Sequence, residues 1–201
     1  INELTRDRNE LDISVIDGPY DDLLHGLRFG HLDILIGALR SSVPVDDVIQ
    51  HELFEDALVI VGRAGHPLIG RKNLSADNLA GYPWVVPRAD TPTRAYFEAL
   101  FDGKKSNVST HVVESSSLVL IRGLLLGSDR LTIISKHQIR HELEQNLLGI
   151  LGFDTSNTSR PIGVTVRKDW QPTATQSRLM ELLISASNMV HDDQRSYSKI
   201  E

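Results

Sequence analysis

Residues 15–40 read VIDGPYDDLLHGLRFGHLDILIGALR, and the places where the apolar positions break decide the fold. A first apolar run reaches Val15 and Ile16 and is cut by Asp17, Gly18 and Pro19. Leu23, Leu24 and Leu27 then recur at helical spacing, and Asp21 and Asp22 complement the positive end of that helix. Gly30 stops the helix, and a second apolar run over 32–36 ends at Gly37. Strand, loop, helix, strand is the βαβ pattern of a parallel sheet. Ligands of such sheets sit beyond the carboxyl ends of the strands, which makes Gly18, Pro19 and Ala38 candidate binding residues.

The bulk numbers exclude several classes. With 201 residues, 40% hydrophobic and 24% charged, the chain is an ordinary globular protein of one domain or two small ones. No apolar run approaches the roughly 20 residues of a spanning helix, so no membrane partner is expected. Zero cysteines remove disulfides and thiolate metal sites and fit a reducing cytoplasm. No signal peptide is visible, and the sequence starts at Ile1. The net charge of -6 and the lack of any basic cluster beyond pairs such as Arg71-Lys72 argue against a direct grip on nucleic acid. If the protein acts on DNA, another segment binds it. No G-x-G-x-x-G and no G-K-[ST] occurs, so no nucleotide and no other cofactor is expected.

Along the chain, residues 1–9 read as the end of a helix and 11–16 as a strand. A polar loop over 41–50 precedes a strand at 57–61. His66, before Pro67, is expected to be structural, because no Ser, Cys or carboxylate stands in a nucleophile setting. No catalytic residue is assigned. Ser75 is a plausible N-cap for a helix beginning near 74–79. The strand 84–86 stops at Pro87, and the loop PRADTPTR follows over 87–94. Thr91 suits an N-cap and Pro92 the first helical position, so a helix is predicted from Pro92 to about Phe101. Its first turn, with Thr93 and Arg94, forms an anion-binding end where Arg94 would add a fork for a carboxylate. The same letters also fit a plain surface helix with a solvated Arg94.

A strand over 110–113 leads to Glu114-Ser115-Ser116-Ser117 and a helix over 118–126. Those serines supply hydroxyls to a small ligand, with Ser115 and Ser116 as candidates, or simply a helix cap. After a strand at 131–134, His137 and His141 stand four apart on a predicted helix. With no third ligand and Arg140 beside them, a solvated face is expected and no metal is assigned. An apolar run at 147–151, a return strand over 160–167 and a helix over 174–189 complete the alternation. Leu179, Leu182, Leu183 and Ala186 form that helix's apolar stripe, and the tail 191–201 is expected to fray.

Three motifs share a family resemblance. Residues 27–37 (LRFGHLDILIG) resemble the "L-x-x-G-x-L-D-(apolar)-(apolar)-I-G" signature of effector-binding domains of LysR-type transcriptional regulators. Leu53-Phe54-Glu55-Asp56 with the run after it and His66-Pro67-Leu68 resembles that family's crossover strand. Arg160-Pro161-Ile162-Gly163 through Trp170-Gln171-Pro172-Thr173 resembles a subgroup whose members respond to sugars or small aromatic-catabolite acids. The likeness runs from about Leu11 to Ser187. Departures occur at Gly127-Ser128-Asp129, where the family shows G-x-G, and at Ile134-Ser135, where it shows an apolar residue and Pro.

The resemblance implies an α/β fold of two Rossmann-like subdomains joined by two crossing strands, like type 2 periplasmic binding proteins. Residues 1–57 plus 165–201 would form the first subdomain and 58–164 the second. A strand and the start of a helix would precede Ile1, as would a helix-turn-helix domain, the only route to DNA. The implied ligand is a small effector, a carboxylic acid or sugar derivative, in an inter-subdomain cleft. Gly18, Pro19, Ala38, Thr91, Pro92, Thr93, Arg94, Ser115 and Ser116 are carried over as its contacts. The implied assembly is a homodimer or homotetramer in the cytoplasm. Two other classes compete: a solute-binding protein of a transporter, which would need export, and an α/β enzyme. The enzyme would have only Glu114 as an acidic candidate at a strand end.

Overall fold

In the computed structural model, the described residues are 1–6, 10–40, 46–89, 91–101 and 111–197, with side chains through 188. The chain divides into two compact units, Ile1–Glu55 with Arg160–Glu201, and Asp56–Ser159. It passes from one unit to the other twice, as two α/β subdomains require.

The first unit holds α1 (Asn2–Thr5), α2 (Tyr20–Arg28), β1 (Leu35–Ala38) and β2 (Val48–Asp56), which runs to the unit boundary. The second unit follows with β3 (Leu58–Arg63), α3 (Ala76–Ala80), β4 (Trp84–Val86), α4 (Pro92–Phe101), β5 (Val112–Glu114) and α5 (Leu118–Leu126). It continues through β6 (Thr132–Ser135), α6 (Arg140–Glu144) and β7 (Leu148–Ile150). The chain then returns to the first unit as β8 (Arg160–Arg167) and α7 (Ala174–Tyr197).

In the first unit β8 lies between β1 and β2. Leu35 pairs Thr165 and Gly37 pairs Gly163 in antiparallel register. Leu24, Leu27 and Leu35 form a small core with Tyr20, Leu23 and Val48 against it. The end of α2 follows from its sequence. Gly30 takes φ +75°, a conformation costly for a side chain, and the Arg167 guanidinium donates to the carbonyls of Leu27 and Leu32 at 2.7 and 3.1 Å.

Three expectations fail here, the first being the loop expected over 41–50, which is strand from Val48 onward. Residues 11–16 form no strand, and 12–19 are exposed, with Val15 75% accessible. The strand–helix–strand reading of 15–40 therefore loses its first strand, and β1 pairs antiparallel with β8. Leu11, Ile13 and Val15 do alternate with Asp12 and Ser14, but a strand forms only against a partner, and among the described residues none pairs with 11–16. At the other end of the chain α7 runs on to Tyr197 rather than stopping at 189. Leu179, Leu182 and Leu183 are half-buried and Ala186 is exposed.

The second unit is a layered α/β body whose strands β3, β4 and β6 are buried on both faces. β3 sits between β6 and β7, both antiparallel to it, while β4 and β5 run parallel. Trp84 bridges to Leu131, and the Val85 N–H donates to the Leu131 carbonyl at 2.8 Å, which ties β4 to the start of β6. Period-2 alternation sorts neighbouring residues to opposite faces. Ile60, Trp84, Val86 and Ile133 go to one core, with Leu79 of α3 and Phe97 and Phe101 of α4. Val61, Val85 and Ile134 go to the other, with Ile121 and Leu125 of α5. Trp84 meets Phe97 and Phe101 edge-on at 5.1 and 5.9 Å and donates its indole N–H to the Leu79 carbonyl.

Smaller adjustments follow. The Asn78 side chain accepts from the Ser75 backbone at 2.9 Å at the start of α3. The chain over Lys136–Ile139 is a 3₁₀ turn, so His137 lies in it and His141 in α6, not on one continuous helix. Residues 7–9, 41–45 and 110 of the expected helix end, loop and strand lie outside the described residues. Among the described residues no helix is long and apolar enough to cross a membrane.

Candidate functional site

The carboxyl ends of β4 and β5 are side by side, with Val86 opposite Glu114, and the Ser115 N–H extends the pairing to the Val86 carbonyl at 3.0 Å. Each strand leads into a helix, so the first turns of α4 and α5 start from the same strand edge. Neither first turn carries an acidic residue. The α2 start differs, because Asp21 and Asp22 occupy its first turn. Two helix N-termini supply N–H groups and about half a positive charge each.

The side chains there are already arranged. The Thr91 hydroxyl accepts from the Arg94 N–H at 3.2 Å and donates to the Arg88 carbonyl at 2.9 Å, so it acts as the cap of α4. Pro92 opens the helix and Thr93 is half-buried beside it. Ser115 Oγ accepts from the Ser117 N–H at 3.1 Å, Ser117 caps α5 by accepting from Leu120, and Ser116 is exposed. The cap thus falls on Ser117, which the sequence does not separate from its neighbours.

Arg94 is largely engaged by its own chain. Its Nε donates to Glu98 Oε1 at 2.8 Å. Its Nη1 donates to Glu114 Oε2 and to the Pro87 carbonyl, each at 3.1 Å. The guanidinium thereby ties α4 to the ends of both strands.

In the first unit, Gly18 and Pro19 are exposed at the start of α2, where the Pro19 carbonyl accepts from the Leu23 N–H at 3.1 Å. Ala38 is half-buried as the last residue of β1. Arg40, two residues on, lies over the Tyr20 ring at 4.5 Å, a cation that sequence reading does not single out. The candidate residues are therefore divided, with three on the first unit and six on the second. A hollow of about 690 Å³ lies elsewhere, between α1 and α7, lined by Leu4, Arg178 and Glu181 among others, and includes none of them.

His66 is structural in its geometry. It is 3% exposed and packs at a tilt against the Tyr82 ring, and Nδ1 accepts from the Leu68 N–H at 3.1 Å. Nε2 therefore carries the proton, facing the Asp129 carbonyl at 3.3 Å. Burial pushes its pKa down, against the raising effect of Asp129. Sequence reading misses a second buried polar pair. Asp56, 2% exposed, accepts from the Ser135 hydroxyl at 2.8 Å, and Ser135 also accepts from the His137 N–H. The available signal is an acidic residue directly before the apolar run of β3.

This fold has known relatives. The family model described as LysR substrate binding domain matches residues 1–187. The chain belongs to the LysR substrate binding domain family. The HTH-type transcriptional regulator GalR of Pseudomonas putida is 32% identical over 167 residues, 83% of this chain and 42% of the relative. PcaQ of Agrobacterium fabrum, also an HTH-type transcriptional regulator, is 29% identical over 180 residues, 90% of this chain and 58% of the relative. The chain thus spans about half the length of these two relatives. The CcmR regulatory domain of Synechocystis, solved in complex with 2-PG, superposes with a TM-score of 0.75 at 19% identity, covering 92% of this chain and 88% of that one. That likeness gives this LysR domain its fold, of the type 2 periplasmic-binding-protein kind. The two named relatives are regulators rather than enzymes, and neither is a transport protein.

Proposed function

We propose that this LysR-family chain is the effector-sensing part of a cytoplasmic transcription regulator. The effector is a small organic acid or a sugar derivative. The observation that carries the reading is the convergence of the α4 and α5 first turns, with Thr93, Ser115 and Ser116, on the shared edge of β4 and β5. Pro92 and the Thr91 cap shape that edge. Binding acts as a population shift: an effector favours one conformation only as far as it binds that one better. The change reaches DNA through a helix-turn-helix domain in the remainder of the protein, as the names of the relatives suggest.

Self-association belongs to the same proposal, as a homodimer or homotetramer. Val119, Leu120 and Leu126 of α5 are 80%, 47% and 45% exposed, an apolar stripe on a surface helix. The test of function is a thermal-shift screen of the full-length protein against organic acids and sugars. An effector at 100 times its dissociation constant adds about 2.7 kcal/mol of stability. A hit that changes operator binding without being consumed supports the sensor. A hit that is turned over chemically refutes it.

A further inference from the structure

Arg94 is the residue a carboxylate effector would be expected to use, yet its guanidinium faces two carboxylates of its own chain. Glu98 stands at 2.8 Å and Glu114 at 3.1 Å, and the Arg94 side chain is only 21% exposed. The three side chains together carry a formal charge of −1, and the two helix N-termini return about one positive charge between them. The edge is therefore close to electrically balanced, and it mixes donors with acceptors. Backbone N–H groups and the Ser115 and Ser116 hydroxyls donate, while Glu114, 48% exposed, accepts.

A ligand hydroxyl both donates and accepts, so it satisfies such a mixture. A ligand carboxylate only accepts, and it would meet Glu98 and Glu114 as like charges.

We propose that the α4–α5 end of the site takes a neutral, hydroxyl-bearing part of the effector, and that Arg94 is a positioning residue rather than its carboxylate anchor. This rests on the effector-site reading above and narrows it to polyhydroxylated ligands at that end.

The test is calorimetric titration of the full-length protein with matched pairs, D-galactose against D-galacturonate and D-glucose against D-glucuronate. Wild-type protein is expected to bind the neutral member of a pair at least tenfold more tightly than its uronate. The E98Q–E114Q variant, both changes being at exposed positions, is expected to gain tenfold or more in uronate affinity. Adding R94A should remove that gain, with circular dichroism confirming the fold of each variant.

A wild-type preference for uronate that disappears in R94A overturns the proposal. A uronate preference that survives R94A overturns it as well, because the expected preference for the neutral member is then absent. If the wild type binds neither class and E98Q–E114Q gains nothing, the effector-site reading falls and takes the proposal with it.

Discussion

Gly37 and Gly163 face each other in the β1–β8 register, and substituting alanine at each should have opposite consequences. A Cβ on Gly163 would sit on the backbone carbonyl oxygen of His51 in β2 and at 2.9 Å from both Cδ atoms of Leu39. The Leu39 side chain has other rotamers available, but a backbone oxygen moves only with its strand. β8 is the middle strand of its sheet, so relieving the clash means parting β8 from β2. Overpacking of this kind costs about 1–3 kcal/mol, and the backbone contact puts Gly163→Ala at the upper end. A loss of about 2–3 kcal/mol lowers the melting temperature by roughly 5–10 °C in a chain of this length. A Cβ on Gly37 meets nothing within 4 Å. There alanine mainly narrows the unfolded ensemble, and Gly37→Ala should be neutral or stabilising by up to about 1 kcal/mol. Urea unfolding followed by Trp170, in the first unit, measures both. Equal damage from the two substitutions, or a Gly163→Ala loss under about 0.5 kcal/mol, would refute the packing argument.

His66 predicts a pH dependence of stability. Its pKa is depressed in the folded chain, so its neutral form stabilises the fold above the ordinary value near 6.5, and that contribution fades as pH falls through 6.5. His66→Gln should flatten the slope of stability between about pH 7 and 5, and an unchanged slope would show that His66 is not its source. Thr91→Ala removes the α4 cap and should cost about 1 kcal/mol in thermal melts, with Thr91→Ser restoring most of it. Val119→Glu, on the exposed stripe of α5, should shift the protein toward monomer in sedimentation velocity, and an unmoved oligomer would free that face of any role.

The second unit was the more legible half because its strands β3, β4 and β6 are buried on both faces. Continuous apolar runs such as Ile60-Val61, Val85-Val86 and Ile133-Ile134 carry that signal without needing knowledge of partners. Helix starts were legible where a capping residue and Pro coincide, as at Thr91-Pro92, and α4 occupies the predicted span. The segment 11–16 misled because a strand is a relation between segments. Ile13, Val15 and Ile16 suggest extended chain, but nothing in those letters specifies a neighbour to complete a ladder. The end of α7 was misplaced for a related reason, since polar residues after Met189 continue a helix as readily as they end one.

The candidate site was legible by type and not by availability. Thr91, Thr93, Arg94, Ser115 and Ser116 are residues able to hold a small polar ligand, yet the letters do not say which groups are already engaged. The hydroxyl of Thr91 goes to the cap, and much of Arg94 goes to Glu98 and Glu114, the latter 20 residues away in sequence. The departures from the family pattern follow the same logic. At the loop where the family shows G-x-G, Asp129 pairs with Arg63 at 2.7 Å while its carbonyl receives His66. Where the family shows Pro, Ser135 gives buried Asp56 a hydroxyl 2.8 Å away. Ser135 therefore meets a buried carboxylate that would otherwise be costly, by roughly 1–3 kcal/mol for an unsatisfied partner, whereas the Arg63–Asp129 pair is partly exposed and contributes little. Substitutions at such positions are judged together with the group they satisfy, so Asp129 belongs with Arg63 and His66, and Ser135 with Asp56.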